Sequence, residues 1–207
     1  ESAARPLGGV RVLYVCSAAR CGSTLTDMFV GGHSQVASLG ELNFLGKALS
    51  LDADCSCGAK LRLCPAWDGV FGALKSSWGA DVRTDPYGYR LWDALASNQI
   101  DSAHQTTALR LMVGWRKGMM ELRERAPSGL RPVLLPGVLT EALHNKAHLY
   151  RTLATRWNKE VLVDSSKSMR EALELNRMWP DAVKVVLLTR DGRGVYLSRR
   201  SSGRTRE

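Results

Sequence analysis

The segment SAARCGSTL, Ser17 to Leu25, gathers residue types suited to holding an anion. A backbone that turns around Gly22 into a helix aims several N–H groups and the helix's positive end at one point, where Ser23 and Thr24 add hydroxyl donors and Arg20 a full charge. Such a point suits a phosphate. The plainer alternative is an ordinary strand-to-helix turn capped by Ser23. Far downstream, Arg190 follows an apolar run and Ser198 lies eight residues further on. Arg190 can grip a second anionic group by a forked, charge-assisted contact, and Ser198 can add its hydroxyl. Taken alone, Arg190-Asp191 reads equally well as a local ion pair at a strand end.

Two more residues could take part in a reaction. Lys167, in VDSSKSM, follows a second apolar run and so belongs at the edge of a sheet where α/β proteins place ligands. A helix start is an electrostatically poor place for a cation, which favours a functional purpose. Glu41 is a carboxylate near the first loop in sequence, but Ser38-x-x-Glu41 before LNFL also reads as a capping box, with Glu41 the third residue of a helix. The first loop matches a Walker phosphate loop only in part. Gly22 and Thr24 fit its last Gly and Ser/Thr, whereas Ser17 stands for the first Gly and Ser23 for the Lys that would span β and γ phosphates.

The remaining candidates carry less. Asp164 ends an apolar run, as a magnesium-binding carboxylate would, and Ser165 and Ser166 either add hydroxyl contacts or cap a helix. Cys55, Cys57 and Cys64 give C-x-C-x6-C, which lacks a fourth ligand at standard spacing; a disulfide such as Cys55–Cys64, or three plain thiols, reads as well, and no metal ligands are assigned. His144-x3-His148 shares one helical face, but Asn145 stands where a metalloprotease needs Glu, so a solvated face is expected. His33 reads as a turn residue.

The elements that must position these groups follow from the apolar pattern. VRVLYVC (Val10 to Cys16) is a short, nearly continuous apolar run, as in a strand covered on both faces, and after the loop Leu25, Met28 and Phe29 fall at helical spacing. EVLVD (Glu160 to Asp164) predicts a second strand, followed by a helix with Met169, Ala172, Leu173 and Leu175 on its apolar face and a Ser168–Glu171 capping box. Pro180 closes that helix. AVKVVLLT (Ala182 to Thr189) predicts a third buried strand, leading through RDGRG to a helix at Val195 to Arg200. Three strand-loop-helix units imply a parallel, helix-covered sheet. Between the first two lies a helical insertion with two core stripes, one of Ala108, Leu111, Met112, Trp115, Met119 and Leu122, the other of Leu139, Ala142, Leu143, Ala147, Tyr150, Ala154 and Trp157. Ser76 to Arg90 reads as a loop.

Composition narrows the class. With 207 residues, 44% apolar and 24% charged, the chain can bury a core as one domain and is neither disordered, collagenous nor a coiled coil. No apolar stretch reaches the roughly 20 residues of a membrane span, and ESAARPLGG lacks the layout of a secretory signal. The net charge of +9 suits an anionic partner, and six arginines lie in the last 18 residues. Five cysteines, an odd number, fit a reducing cytoplasm better than a disulfide framework.

An Arg-Ser/Thr phosphate loop without Lys after the first strand, with an Arg and a Ser eight apart after a later strand, resembles the sulfotransferases that use 3′-phosphoadenosine 5′-phosphosulfate. Met28 to Leu45 is similar to the segment that follows the phosphosulfate loop in bacterial and protein-tyrosine sulfotransferases, and CSCG…CPAW, Cys55 to Trp67, to the bacterial group. The resemblance implies an α/β, P-loop-like three-layer fold with a central parallel sheet and a helical insertion, over residues 1–207 as a single domain cut short at its C-terminal end. It implies that Arg20, Cys21, Gly22, Ser23, Thr24 and Leu25 bind the 5′-phosphosulfate, that Arg190 and Ser198 hold the 3′-phosphate, and that Glu41 is the general base, with Lys167 and Arg20 on the reacting sulfuryl group. The donor would be 3′-phosphoadenosine 5′-phosphosulfate, the product adenosine 3′,5′-bisphosphate, and the acceptor a small-molecule or glycan hydroxyl, with no nucleic-acid or membrane partner and no metal. Two other classes stay open: a magnesium-dependent nucleotide kinase using the first loop and Asp164, and a non-catalytic anion or nucleic-acid binder.

Overall fold

A computed structural model describes residues 7–91, 106–131 and 133–201 of the chain. The apolar run at the start becomes β1 (Arg11–Ser17), whose Val12, Tyr14, Val15 and Cys16 are buried, as a strand with a neighbour on each side requires. A helix, α1 (Ser23–Gly31), leads to a short strand, β2 (Val36–Ser38), that the sequence pattern did not single out. The two later runs form β3 (Val161–Asp164) and β4 (Val183–Leu188). The four strands make one parallel sheet in the order β2-β3-β1-β4, with Tyr14 paired to Asp164 and Ser17 to Leu188. Because all four run the same way, the loops after them, which carry Arg20, Glu41, Lys167 and Arg190, leave from one carboxyl edge. The protein is therefore α/β with a parallel sheet.

The chain divides into two compact units. The first is residues 1–42 with 157–207 and contains the sheet, α1, α6 (Met169–Met178) and α7 (Gly192–Ser201). The second, residues 43–156, is helical in its described residues: α2 (Leu45–Ser50), α3 (Pro65–Trp78), α4 (Thr107–Arg125) and most of α5 (Gly137–Trp157). Among the described residues no helix is long and apolar enough to cross a membrane. The predicted loop at Ser76 to Arg90 begins three residues late, since α3 runs to Trp78 before Gly79 takes the left-handed conformation that ends it.

Several predicted apolar faces turn out differently. On α1 the buried residues are Ser23 and Asp27, while Leu25, Met28 and Phe29 are exposed, because the helix is pinned to its strand and loop neighbours by hydrogen bonds that Asp27 accepts from Ser38 and Ser165 rather than by an apolar stripe. The stripe predicted for α4 is also outward: Leu111 is 71% and Trp115 61% exposed, whereas Val113, Arg116, Met120 and Arg123 are buried. Arg123 can sit inside because its Nε donates to the Arg131 carbonyl at 2.5 Å while its aliphatic stem packs. The α5 stripe holds from Leu139 to Ala154. On α6, Glu171 and Glu174 share the buried face with Ala172 and Leu175, and Met169 and Leu173 are exposed. Each of those carboxylates has one oxygen engaged: Tyr14 donates to Glu171 Oε2 at 2.5 Å and Arg177 to Glu174 Oε1 at 2.5 Å. Burial and the facing Glu171 push the Tyr14 phenol well above its usual pKa. The third strand was expected to be buried throughout, but β4 is an edge of the sheet, so Val183 is buried and Leu187 exposed.

Candidate anion-binding site at the carboxyl edge of the sheet

After β1 the chain reverses into α1 through Arg20 and Gly22, both with positive φ, 71° and 97°. Gly22 is the N-cap, and no side chain caps the helix; Ser23 is instead its first residue and is buried. This corrects the reading of Ser23 as a cap. It also leaves the N–H groups of the first turn without a side-chain acceptor, the condition under which a helix start attracts an anion. Thr24 and Leu25 are exposed, and Cys21 is half-buried. At the root of the loop the Ser17 hydroxyl is buried and meets no hydrogen-bond partner among the described residues. Such an orphan donor is what a bound anion would satisfy.

Arg190 reaches this loop. Its Nη1 donates to the Arg20 carbonyl at 3.2 Å, joining segments 170 residues apart. The alternative of a local pair with Asp191 does not hold, because Asp191 accepts from the Arg193 backbone N–H at 2.8 Å and from its guanidinium at 2.8 and 3.2 Å. Those bonds hold the Asp191 carboxyl below its ordinary pKa and cap α7. The Arg190 side chain folds over the first turn of α7, where a Cβ on Gly194 would lie 2.8 Å from its Nε. Ser198 is half-buried two turns into α7, which begins at Gly192 rather than Val195.

Glu41 and Lys167 form an ion pair, the amine hydrogen-bonded to the carboxylate. The expected capping box is absent: Ser38 lies in β2 with its hydroxyl bonded to Asp27, and the next helical turn begins at Leu42. Lys167 has φ of 66°, a left-handed conformation costing of order 1–3 kcal/mol at a residue with a Cβ. Arg20 shares that conformation, so two of the candidate cations are held in unfavourable backbone geometry at the same edge. Ser168 caps α6 by accepting the Glu171 N–H at 3.4 Å, and the Glu171 side chain completes no box because it goes to Tyr14.

Asp27 was missed by the sequence reading. Its carboxylate accepts from Ser38 and, at 3.0 Å, from Ser165, tying α1 to the ends of β2 and β3. Ser165 N–H also donates to the Gly40 carbonyl at 2.8 Å. These bonds set the positions of the segments carrying Glu41 and Lys167. The available signal was a carboxylate four residues after Ser23 in the apolar stretch STLTDMFVG. Asp164 is fully buried and accepts the Ser166 N–H at 2.8 Å. His33 accepts the Gln35 N–H at 3.1 Å, as a turn residue would. His148 departs from the solvated face expected of it: its Nδ1 lies 3.0 Å from the Tyr89 hydroxyl.

No family model, curated protein or solved structure matches this chain.

Proposed function

We propose that the chain is a P-loop-like sulfotransferase that moves a sulfuryl group from 3′-phosphoadenosine 5′-phosphosulfate to an acceptor hydroxyl. The observation that carries this reading is the contact between Arg190 and the Arg20 carbonyl, which brings the two anion-binding pieces of the sequence to one edge of the sheet. The residues present fit such a donor: an uncapped helix start and the orphan Ser17 hydroxyl suit the 5′ end, and the Arg190 fork over Gly194 suits the 3′-phosphate. The donor supplies an activated sulfuryl group whose leaving group is a phosphate.

In this mechanism the acceptor oxygen bonds to sulfur as the bond from sulfur to the phosphate oxygen breaks, and Glu41 takes the acceptor's proton. Charge builds on the departing oxygen, and Arg20, Lys167 and the N–H groups of α1 stabilise it. The ion pair holds the Glu41 and Lys167 side chains together, which supports assigning both to one reacting centre. The kinase alternative lacks comparable support, since Ser23 stands where the Lys that would span β and γ phosphates belongs.

A thermal-shift comparison tests the reading. Adenosine 3′,5′-bisphosphate, without magnesium, is expected to raise Tm well above the effect of adenosine 5′-phosphate. Equal shifts would leave Arg190 and Ser198 without their assigned ligand and overturn the proposal.

A further inference from the structure

The second unit holds a cluster that the transfer reaction does not use. Cys55 and Cys57 lie on a tight turn closed by the Asp54–Lys60 bridge, with the Gly58 N–H donating to the Cys55 carbonyl and the Cys55 N–H to Ala59, both at 2.8 Å. Gly58, at φ 87°, makes that turn possible. Cys64 immediately precedes Pro65, the first residue of α3, and its carbonyl accepts the Trp67 and Asp68 N–H groups at 3.0 Å. The turn and the helix start bring three sulfurs together: Cys57 Sγ is 3.4 Å and Cys55 Sγ 3.5 Å from Cys64 Sγ, and all three lie within 4.8 Å of one another.

We propose that Cys55, Cys57 and Cys64 form a thiolate site for a single zinc ion. Two observations carry it. Zinc–sulfur bonds of about 2.3 Å in a tetrahedron put sulfurs about 3.8 Å apart, close to the two separations seen. A disulfide would use only two of the sulfurs and leave the third crowded against the bond, whereas a metal uses all three.

Three soft thiolates select zinc over magnesium or calcium. Among the described residues no other Cys, His, Asp or Glu completes the group, and Cys57 is exposed, so water takes the fourth position. Binding releases the thiol protons to solvent and cross-links the turn to α3, so the metal's affinity adds to the stability of this unit. The site departs from the sequence expectation of no metal, and it does not depend on the sulfotransferase reading.

The test uses the full chain purified under reducing conditions and dialysed against excess zinc, then against buffer. Metal analysis is expected to find one zinc per chain, cobalt in its place to give thiolate charge-transfer and tetrahedral d–d bands, and a chelator to lower Tm until zinc is restored. In Cys57→Ser, an exposed position, the circular-dichroism spectrum should persist while zinc retention and the cobalt charge-transfer intensity fall. Substoichiometric zinc in the unmodified chain, absence of the cobalt bands, or a Cys57→Ser chain that keeps both would each overturn the proposal.

Discussion

Glu41 and Lys167 meet because each is held by its own neighbourhood. Asp27 fixes Ser38 and Ser165, which stand just before them in the chain, and the positive φ of Lys167 turns its amine to the carboxylate. If Glu41 takes the acceptor proton, Glu41→Gln should lower turnover by roughly 10²–10⁴-fold. Affinity for adenosine 3′,5′-bisphosphate, read by calorimetry, should barely change; retained turnover would remove Glu41 from the mechanism. Sequence alone gave Glu41 two readings, base or capping residue, because the box pattern is local. The two can hold together, and only the capping reading is decided by the structure: the Ser38 hydroxyl is engaged by a residue eleven positions earlier. Tyr14 makes a similar point. It reads as an apolar strand residue, yet its hydroxyl serves the buried Glu171. Tyr14→Phe should cost about 1–3 kcal/mol in urea denaturation, since a buried carboxylate loses a donor.

Among the elements, the two glycine positions of the site make separable predictions. A Cβ on Gly22 would meet nothing within 4 Å, so Gly22→Ala is opposed only by its φ of 97°, at a cost of about 1–3 kcal/mol. Relief of that strain would reshape the turn, so both stability and nucleotide affinity should fall. A Cβ on Gly194 would instead strike the far end of the flexible Arg190 side chain. Gly194→Ala should therefore leave Tm nearly unchanged and reduce the preference for the 3′-phosphorylated nucleotide, measured as a ratio of dissociation constants. An unchanged ratio would show that Arg190 does not read that phosphate. Three of the four strands, all but the short β2, and most helices were legible because buried parallel strands leave continuous apolar runs and Gly and Pro punctuate them. The faces of α1 and α4 were not. Asp27, Arg116 and Arg123 are buried through specific hydrogen bonds or packed aliphatic stems, and hydropathy cannot register partners distant in the sequence.

At the scale of the whole molecule, acid should act on the second unit in two stages. Burial holds His148 below its ordinary 6.5, with Arg151 adding to the effect. The unfolded chain then takes up that proton more readily, so the contribution is complete above about 6.5 and lost as pH falls through the folded value. Asp81 behaves as a paired acid: hydrogen bonds from Arg83 bring it from 3.8 down to about 2. Its contribution is complete above about 3.8 and lost as pH falls to about 2. Thermal melts at a series of pH values should show both declines. His148→Gln should flatten the upper one and Asp81→Asn the lower; an unaltered profile in either variant would refute that assignment.

The order of the three strand-loop-helix units, the parallel α/β class, the carboxyl-edge placement of their loops and the presence of an anion-suited turn were determined by sequence. Each depends on patterns within a few residues: apolar runs of strand length, glycine and proline breaks, a charged loop between strand and helix. Tertiary structure alone decided which side chains meet. The Arg190 contact with the first loop spans 170 residues, the Lys167–Glu41 pair 126, and the Asp27–Ser165 bond 138. It also brought Cys55, Cys57 and Cys64 into one sulfur cluster, through a left-handed glycine and a helix start whose approach no spacing rule encodes. Local propensity is written residue by residue, but coincidence in space is set by how strands order themselves in the sheet and how turns close.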